Sequence, residues 1–485
     1  MSSIKNKAVK GVKWSIIDNI ANSGITFLVG IILARILTPH EFGLIGIITI
    51  FISIANTIID GGFSTALIRK PDSTNEDYNT VFYCNLGISI FLTLIFCLSA
   101  TSIANFYEEP KLISVIYGMS SLLIINAFTL IQRTLLIKKI DFKTQAKISL
   151  SSSIVSGFIG IALALFGFGV WSLVFQQISR QLIVSVSLWI KSLWKPSFLF
   201  SKKSFDELFH FGSKILIADI INTFFRNIFL ALVGKFYSTE KLGQYTKAEQ
   251  FKSIFANNLT LLIQKVSFPS LSSIQNEKER LTFAFRKLII YTSIITFAGV
   301  LSLGAIAKPL ILVLIGEQWL EAVEYLQIIC FYGILYPLSV LNLNMLKIIG
   351  KSNLILKQEF IKKLLLIPVL VVGYFFDFKY MLWAHVIYFY IEFFFNSFYS
   401  ERFFNYGTWK QIKDLFPIFI LSLVLAFGIW SITLIPFKHI IINLLIQCVL
   451  IATIFPLTYS LIRSKEYFEL KDIIVTEIKS FFSKK

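Results

Sequence analysis

Cysteine and histidine are scarce in this chain. Cys84, Cys97, Cys330, Cys448 and the four histidines at positions 40, 210, 385 and 439 are scattered over 485 residues. No CxxC or CxxxxC spacing occurs, so the cysteines read as small core residues and a dedicated metal site is not expected. Charge is also thin, 15% of residues against about 25% in soluble domains. Compact catalytic motifs are missing too. The nearest approach to a phosphate loop, Gly350-Lys351-Ser352, lacks the earlier glycine and follows an apolar segment instead of a strand. Neither GxSxG, HExxH nor an aspartate-rich DxxD pair occurs, which leaves hydrolase and glycosyltransferase readings without support.

What the chain has in quantity is apolar length. Hydrophobic residues make up 55% and the mean hydropathy is +0.73. A helix needs about 20 apolar residues to cross a hydrocarbon core about 30 Å thick. Fourteen segments qualify, approximately 14–34, 42–68, 80–105, 112–137, 147–169, 171–190, 211–234, 244–268, 286–307, 322–347, 354–376, 379–399, 413–434 and 438–462. The fold expected is therefore all-α and integral to the membrane, with about 14 transmembrane helices. The net charge of +18 is distributed as the positive-inside rule requires. With the amino terminus in the cytoplasm, 35 of the 46 Lys and Arg fall in cytoplasmic segments and adjoining helix ends, and seven on the opposite side. Both termini are thus expected in the cytoplasm, and the excess charge reports anionic lipid, not nucleic acid. The amino-terminal basic run resembles a secretion signal only superficially: the apolar stretch after it holds Asp18, Asn19 and Asn22 and no cleavage pattern, so it reads as a retained first helix.

Polar side chains recur inside these spans at helical spacing, and at bilayer depth they normally face a protein-lined or aqueous interior. The first helix carries Ser15, Asp18, Asn22 and Thr26, and the second Thr49, Ser53, Asn56 and Asp60 before a break at Gly61-Gly62. Between them Thr38 and Pro39 stop one helix and Gly43 opens the next. Gln176, Gln177, Arg180 and Gln181 cluster in the sixth span. The stretch 191–210 is basic with interleaved aromatics and is expected to lie on the anionic leaflet, with a helix starting at Ser204, whose spacing to Glu207 is that of a capping box. In the seventh span Asp219, Asn222 and Arg226 share a face. In the eighth, Lys247, Gln250, Asn257, Asn258 and Gln264 do. Arg226 and Lys247 are the leading anion-contact candidates, with Arg180, Lys252, Asn222, Gln250 and Asn257 beside them. Lys252 could instead simply pair with Glu249, and Asp219 with Arg226. Asp18, Asp60, Asp219 and Glu392, the last with Asn396 and His385 nearby, are candidates for ion coupling.

A weak internal repeat appears at an offset of 200. Ile20, Asn22, Gly43, Phe51, Ser53 and Ile54 match Ile220, Asn222, Gly243, Phe251, Ser253 and Ile254. Six spans and a cytoplasmic linker return the second copy to the same side, so the copies are parallel repeats about an axis along the membrane normal. The resulting division is an N-terminal lobe 1–190, a linker 191–210, a C-terminal lobe 211–405, two further helices in 406–462 and a basic tail 463–485 expected to be an interfacial helix. Positions shared by the copies read as scaffold, and Arg226 and Lys247, which do not recur, as ligand contacts. The added pair of helices could complete the packing or help form a lipid-facing groove.

The basic amino-terminal run, Ala34 to Gly43, Asp60 to Lys70, and Phe225-Arg226-Asn227 followed by Gly243-Gln244-Tyr245 resemble the Wzx-type polysaccharide flippases of the multidrug/oligosaccharidyl-lipid/polysaccharide exporter superfamily. The resemblance covers essentially the whole chain. It implies a membrane transporter, not an enzyme, turning undecaprenyl-diphosphate-linked sugar units from the inner to the outer leaflet of a bacterial inner membrane. It further implies alternating access of two lobes around a cationic cavity, with Arg226 where the family commonly places a basic residue. No cofactor is implied; an H+ or Na+ gradient is a candidate driving force, and membrane lipids and the polymerase and glycosyltransferases of the pathway are candidate partners. The alternatives are an ion-coupled multidrug exporter of the same superfamily, whose cavity should be acidic, and a membrane polymerase or ligase.

Overall fold

The structure, a computed structural model, describes residues 2–192, 194–435, 439–461, 468, 469 and 472. Among them no strand occurs; the protein is an all-α membrane protein. It divides into two compact units, Met1–Thr246 and Lys247–Lys485. The first contains α1 (Ser2–Ile36), α2 (Pro39–Asp60), α3 (Phe63–Arg69), α4 (Asn75–Tyr107), α5 (Lys111–Lys138), α6 (Phe142–Leu165), α7 (Val170–Lys191), α8 (Lys202–Phe236) and the start of α9 (Thr239–Ser273). The second takes the rest of α9, then α10 (Lys278–Ala305), α11 (Ala307–Leu314), α12 (Leu320–Gly333), α13 (Tyr336–Ile348), α14 (Ser352–Phe375), α15 (Phe378–Phe404), α16 (Thr408–Ser431) and α17 (Ile440–Leu461).

Eleven spans among the described residues are long and apolar enough to cross a membrane, not the fourteen expected. The other three expected segments are helical, as α9, α14 and α15, but their apolar runs are diluted. Lys247, Glu249 and Lys252 interrupt α9; Lys357, Glu359, Lys362 and Lys363 interrupt α14; Tyr, His and Asn side chains and Glu392 lower α15. The segment expected at 322–347 is bent where α12 gives way to α13, with Pro337 in the first turn of α13, a position where its missing N–H costs nothing. The expected basic tail at 463–485 lies almost wholly outside the described residues.

Local signals explain the boundaries. Thr38 caps α2 through a reciprocal capping box with Glu41, and Pro39 occupies the first turn, so α2 starts four residues before Gly43. Gly61 and Gly62 have φ of 57° and 71° and end α2, as the glycine pair suggested. The start of α8 differs from expectation: Ser201, not Ser204, is the cap, accepting from the Ser204 N–H. Glu207 is drawn away from any capping role by Lys70, 3.0 Å from its carboxylate.

Within the first unit, α1 packs on α6, α6 on α7, α5 on α4 and α7, and α8 on α2, α3 and α4. The docking of α8 on α2 is polar at its centre, where Asn227 donates to Ser53 Oγ at 3.0 Å and Thr223 meets Thr57 at 3.2 Å. Gly43 and Gly243 cross near the starts of α2 and α9. A Cβ on Gly43 would sit 1.8 Å from the Thr239 carbonyl oxygen, and one on Gly243 would sit 1.8 Å from that of Pro39. Residue 43 against 239 and residue 243 against 39 is the reciprocal contact that a two-fold relation at an offset of 200 produces. In the second unit α10 packs on α16 and α12, α15 on α12, α13 and α14, and α16 on α17.

Candidate functional site

The first unit holds a cavity of about 310 Å³ built by α2, α5, α6 and α7. Asn56, Asn126, Gln145, Ser149, Ser152, Gln177, Gln181, Arg133 and Arg180 line it, among a few leucines and isoleucines. Arg180 donates to Asn22 Oδ1 at 3.2 Å, and Ser153 donates to the same oxygen. Asn126 donates to Asn56 Oδ1 at 2.9 Å. Arg133 and Arg180 are within electrostatic reach of each other, and both of Asp18 on α1. No hydrogen bond or ion pair from a described residue reaches the Arg133 guanidinium.

Two guanidinium groups against one carboxylate leave the cavity cationic. Arg180 is half-buried and Arg133 exposed, both facing the same cavity; like charges placed together favour an anion between them, the more so where the local dielectric is low. Guanidinium groups present forked donors that match phosphate or carboxylate oxygens, and the surrounding amides and hydroxyls can take the rest of a polar ligand.

The sequence reading reached only part of this site. Arg180, Asp18 and Asn22 belong to it. Arg133, which is not among the sequence candidates, lies inside α5, five residues before its end. The usable signal was its spacing from Asn126, seven residues, which places both on one helical face. Arg226 lies on the exposed side of α8 and donates to Thr223 Oγ1 at 3.4 Å; Asp219 and Asn222 are exposed beside it. No ion pair between Asp219 and Arg226 is formed among the described residues. Asp219 is instead within electrostatic reach of Asp60, whose carboxylate accepts from Ser64.

The remaining candidates lie in the second unit with local partners. Lys247 is only 4% exposed, donates to Gln250 Oε1 at 3.1 Å and lies 5.9 Å from the centre of the Trp319 ring. Lys252 pairs with Glu249 at 2.7 Å, as its spacing allowed, donates to the Tyr332 hydroxyl at 2.9 Å and lies over that ring. Asn257 is exposed on α9. Glu392 is 3.2 Å from Lys362, which also pairs with Glu359. Lys362 is likewise absent from the sequence candidates, and α14 runs well past it on both sides. Asn396 completes this group, donating to Glu392 at 3.4 Å. A separate groove of about 720 Å³ between α10 and α16, touched by Tyr459 of α17, is lined mainly by Ile290, Ile294, Phe416, Ile420 and Val424.

The sequence profile of the polysaccharide biosynthesis protein family matches residues 32–324. The chain belongs to this family. It is similar to the teichuronic acid biosynthesis protein TuaB of Bacillus subtilis, 25% identical over 73% of this chain and 74% of that protein. To the succinoglycan biosynthesis transport protein ExoT of Rhizobium meliloti it is 27% identical over 68% of this chain and 67% of that one. To the lipopolysaccharide biosynthesis protein WzxC of Escherichia coli it is 24% identical over 76% of each. Its fold is that of the lipid II flippase MurJ in an inward closed conformation, with a TM-score of 0.74 at 15% identity over 93% of this chain and all of that one. A multidrug resistance MATE transporter of the same superfamily follows at 0.59 and 12% identity over 84% and 95%. This polysaccharide biosynthesis family member is therefore a multi-pass membrane transporter of the Wzx type, as the loop motifs around Arg35–Gly43 and Asp60–Lys70 implied.

Proposed function

We propose that the chain is a flippase that carries undecaprenyl-diphosphate-linked oligosaccharide units from the inner to the outer leaflet of a bacterial inner membrane, both termini being cytoplasmic. The product would serve O-antigen, capsule or exopolysaccharide assembly. The observation that carries the reading is the cationic cavity of the first unit, where Arg133 and Arg180 outnumber Asp18 and the other polar lining groups are amides and hydroxyls. A sugar diphosphate needs both parts: cations for the phosphates and neutral donors and acceptors for the hydroxyls. Arg226, Lys247, Lys252, Asn222, Gln250 and Asn257 remain as further contacts along the path, with Arg226 foremost because it is not buried. The apolar groove along α10 and α16 suits the polyprenyl tail. For coupling to an H+ or Na+ gradient we favour Asp60 and Asp219, two carboxylates near each other, over Glu392, which Lys362 already neutralises, and over Asp18, which faces the two arginines. Polymerase and glycosyltransferases of the same pathway are the expected functional partners.

The test is surface polysaccharide production in a strain depending on this protein. Arg133→Gln and Arg180→Gln variants, present in the membrane at normal levels, should lose polymer and accumulate the lipid-linked unit inside. Undiminished polymer in the double variant would overturn the reading.

A further inference from the structure

A second cavity, of about 290 Å³, opens at the basic end of the first unit, where α5 and α7 finish and the chain turns toward α8. Asn75, Tyr78, Gln132, Lys139, Lys191, Ser192 and Trp194 line it together with leucines, and no carboxylate is among them. It is distinct in its polar groups from the cavity of Arg133 and Arg180. The two share only the apolar side chains of Leu136 and Leu188.

Three features point to a ligand. Gln132 is 2% exposed, and neither its amide nitrogen nor its carbonyl oxygen has a partner among the described residues. The Trp194 indole N–H is buried and equally unmatched. Buried polar groups left without partners are costly, so two at one cavity wall are expected to serve something that enters it. Lys139 and Lys191 are exposed at the rim, and neither is paired with a described residue, unlike the neighbouring Lys138, which is spent on the Lys70 carbonyl and Ser73. The surroundings also say where the ligand comes from. Ile190, Phe198, Leu199 and Phe200 project from the adjoining segment, Phe198 almost fully exposed. Apolar and aromatic side chains displayed beside two lysines and a tryptophan are the pattern of a membrane interface.

We propose that this cavity is a seat for the phosphate head group of an anionic phospholipid of the surrounding leaflet. Lys139 and Lys191 bind the phosphate, and Gln132 and the Trp194 N–H take the hydroxyl and ester oxygens of a glycerol head group. The basic stretch after α7 thereby holds one lipid at a defined place instead of skimming the leaflet surface. This assignment depends on the membrane placement of the unit and not on what the transporter carries.

The full-length protein, purified in mild detergent and titrated with phosphatidylglycerol, phosphatidylethanolamine or inorganic phosphate under native mass spectrometry, tests it. Phosphatidylglycerol should be retained in preference to phosphatidylethanolamine. The Lys139→Gln/Lys191→Gln variant should lose about 30-fold in that retention, roughly 1 kcal/mol per basic side chain near a membrane surface converted at 1.4 kcal/mol per tenfold, and the Lys→Arg pair should restore it. Gln132→Leu should reduce the preference between head groups while leaving the thermal midpoint in detergent unchanged or higher. Equal retention by wild type and the glutamine double variant would overturn the proposal. So would displacement of the lipid by millimolar inorganic phosphate, which would mark a free-phosphate site. Failure here leaves the polysaccharide phenotype of Arg133 and Arg180 variants untouched, so the two readings fall separately.

Discussion

The two units treat intramembrane charge in opposite ways. In the first, Arg133 and Arg180 share a single nearby acid, Asp18, and line a cavity. In the second, Lys252 is closed between Glu249 and Tyr332, and Lys362 between Glu359 and Glu392. A charge that has found its counter-charge within a turn or on the next helix is part of the packing. A surplus charge facing open volume is a standing demand for a ligand. Pairing against surplus is therefore what separates the candidate residues.

The largest effect should come from the surplus side. Replacing both Arg133 and Arg180 by glutamine removes the cavity's positive charge. Truncating partners of buried hydrogen-bonded charges costs about 2 to 5 kcal/mol in binding, so transport should fall more than 100-fold. The fold should survive: relief of the Arg133–Arg180 repulsion offsets the loss of Asp18's nearby cations, so the thermal midpoint in detergent should change little. A large drop in that midpoint with transport rates preserved per folded molecule would erase the comparison.

The paired side should respond the other way. Lys362→Met leaves Glu359 and Glu392 without their shared cation, and breaking a buried pair costs about 3 to 5 kcal/mol; the lower end applies because Glu359 is a third exposed. The unfolding midpoint should fall clearly, and adding Glu392→Gln should recover part of the loss. Of similar size is Gly43→Ala, since its methyl would overlap the Thr239 carbonyl and the backbone on both sides is fixed by helix starts. Gly243→Ala should match it to within a factor of two in destabilisation, as the reciprocal contact demands. Unequal outcomes there would remove the two-fold relation from the helix starts.

How much of this could be read from sequence follows from the kind of signal. Membrane class and helix positions were legible because apolar runs about 20 residues long need no tertiary information. The break at Gly61-Gly62 and the register of Gly43 with Gly243 were legible because backbone geometry selects glycine locally. The cavity was only half legible. Arg180 stands out in the middle of its span, whereas Arg133 lies near the end of its own, where an arginine usually reaches back to water, and Lys362 is one of a run of charges with Lys357, Glu359 and Lys363. Whether such a side chain turns inward is decided by neighbours from other helices, here Asp18 for Arg133 and Glu392 for Lys362. What surrounds Lys247 is hidden from sequence for a related reason: the nearby Trp319 ring is 72 residues away in the chain. The count of spans fell short because helices that build polar interiors are the ones whose composition looks least like a membrane helix.

The smallest expected effect lies at the edge of the first unit and shows that it, too, can pair charges where no ligand is wanted. Lys70, in the turn between α3 and α4, lies 3.0 Å from both Asp77 and Glu207. Burial works against its charge, but Glu207 and Asp77 outweigh that and hold its pKa above the ordinary lysine value. A group whose pKa is higher folded than unfolded adds stability that is complete below the unfolded value, about 10.4 for lysine, and is lost as pH rises through the folded one. The midpoint advantage of wild type over Lys70→Met, worth about 1 kcal/mol, should therefore be constant from pH 7 to 9 and shrink steadily above pH 10. Asp77 keeps its second task in the variant, capping α4 through the Thr74 N–H at 2.9 Å, so α4 should stay helical. An advantage that instead grew with pH would mean that Lys70 is strained by its burial and not served by its acids. The turn would then belong with the surplus charges of the cavity and not with the paired ones.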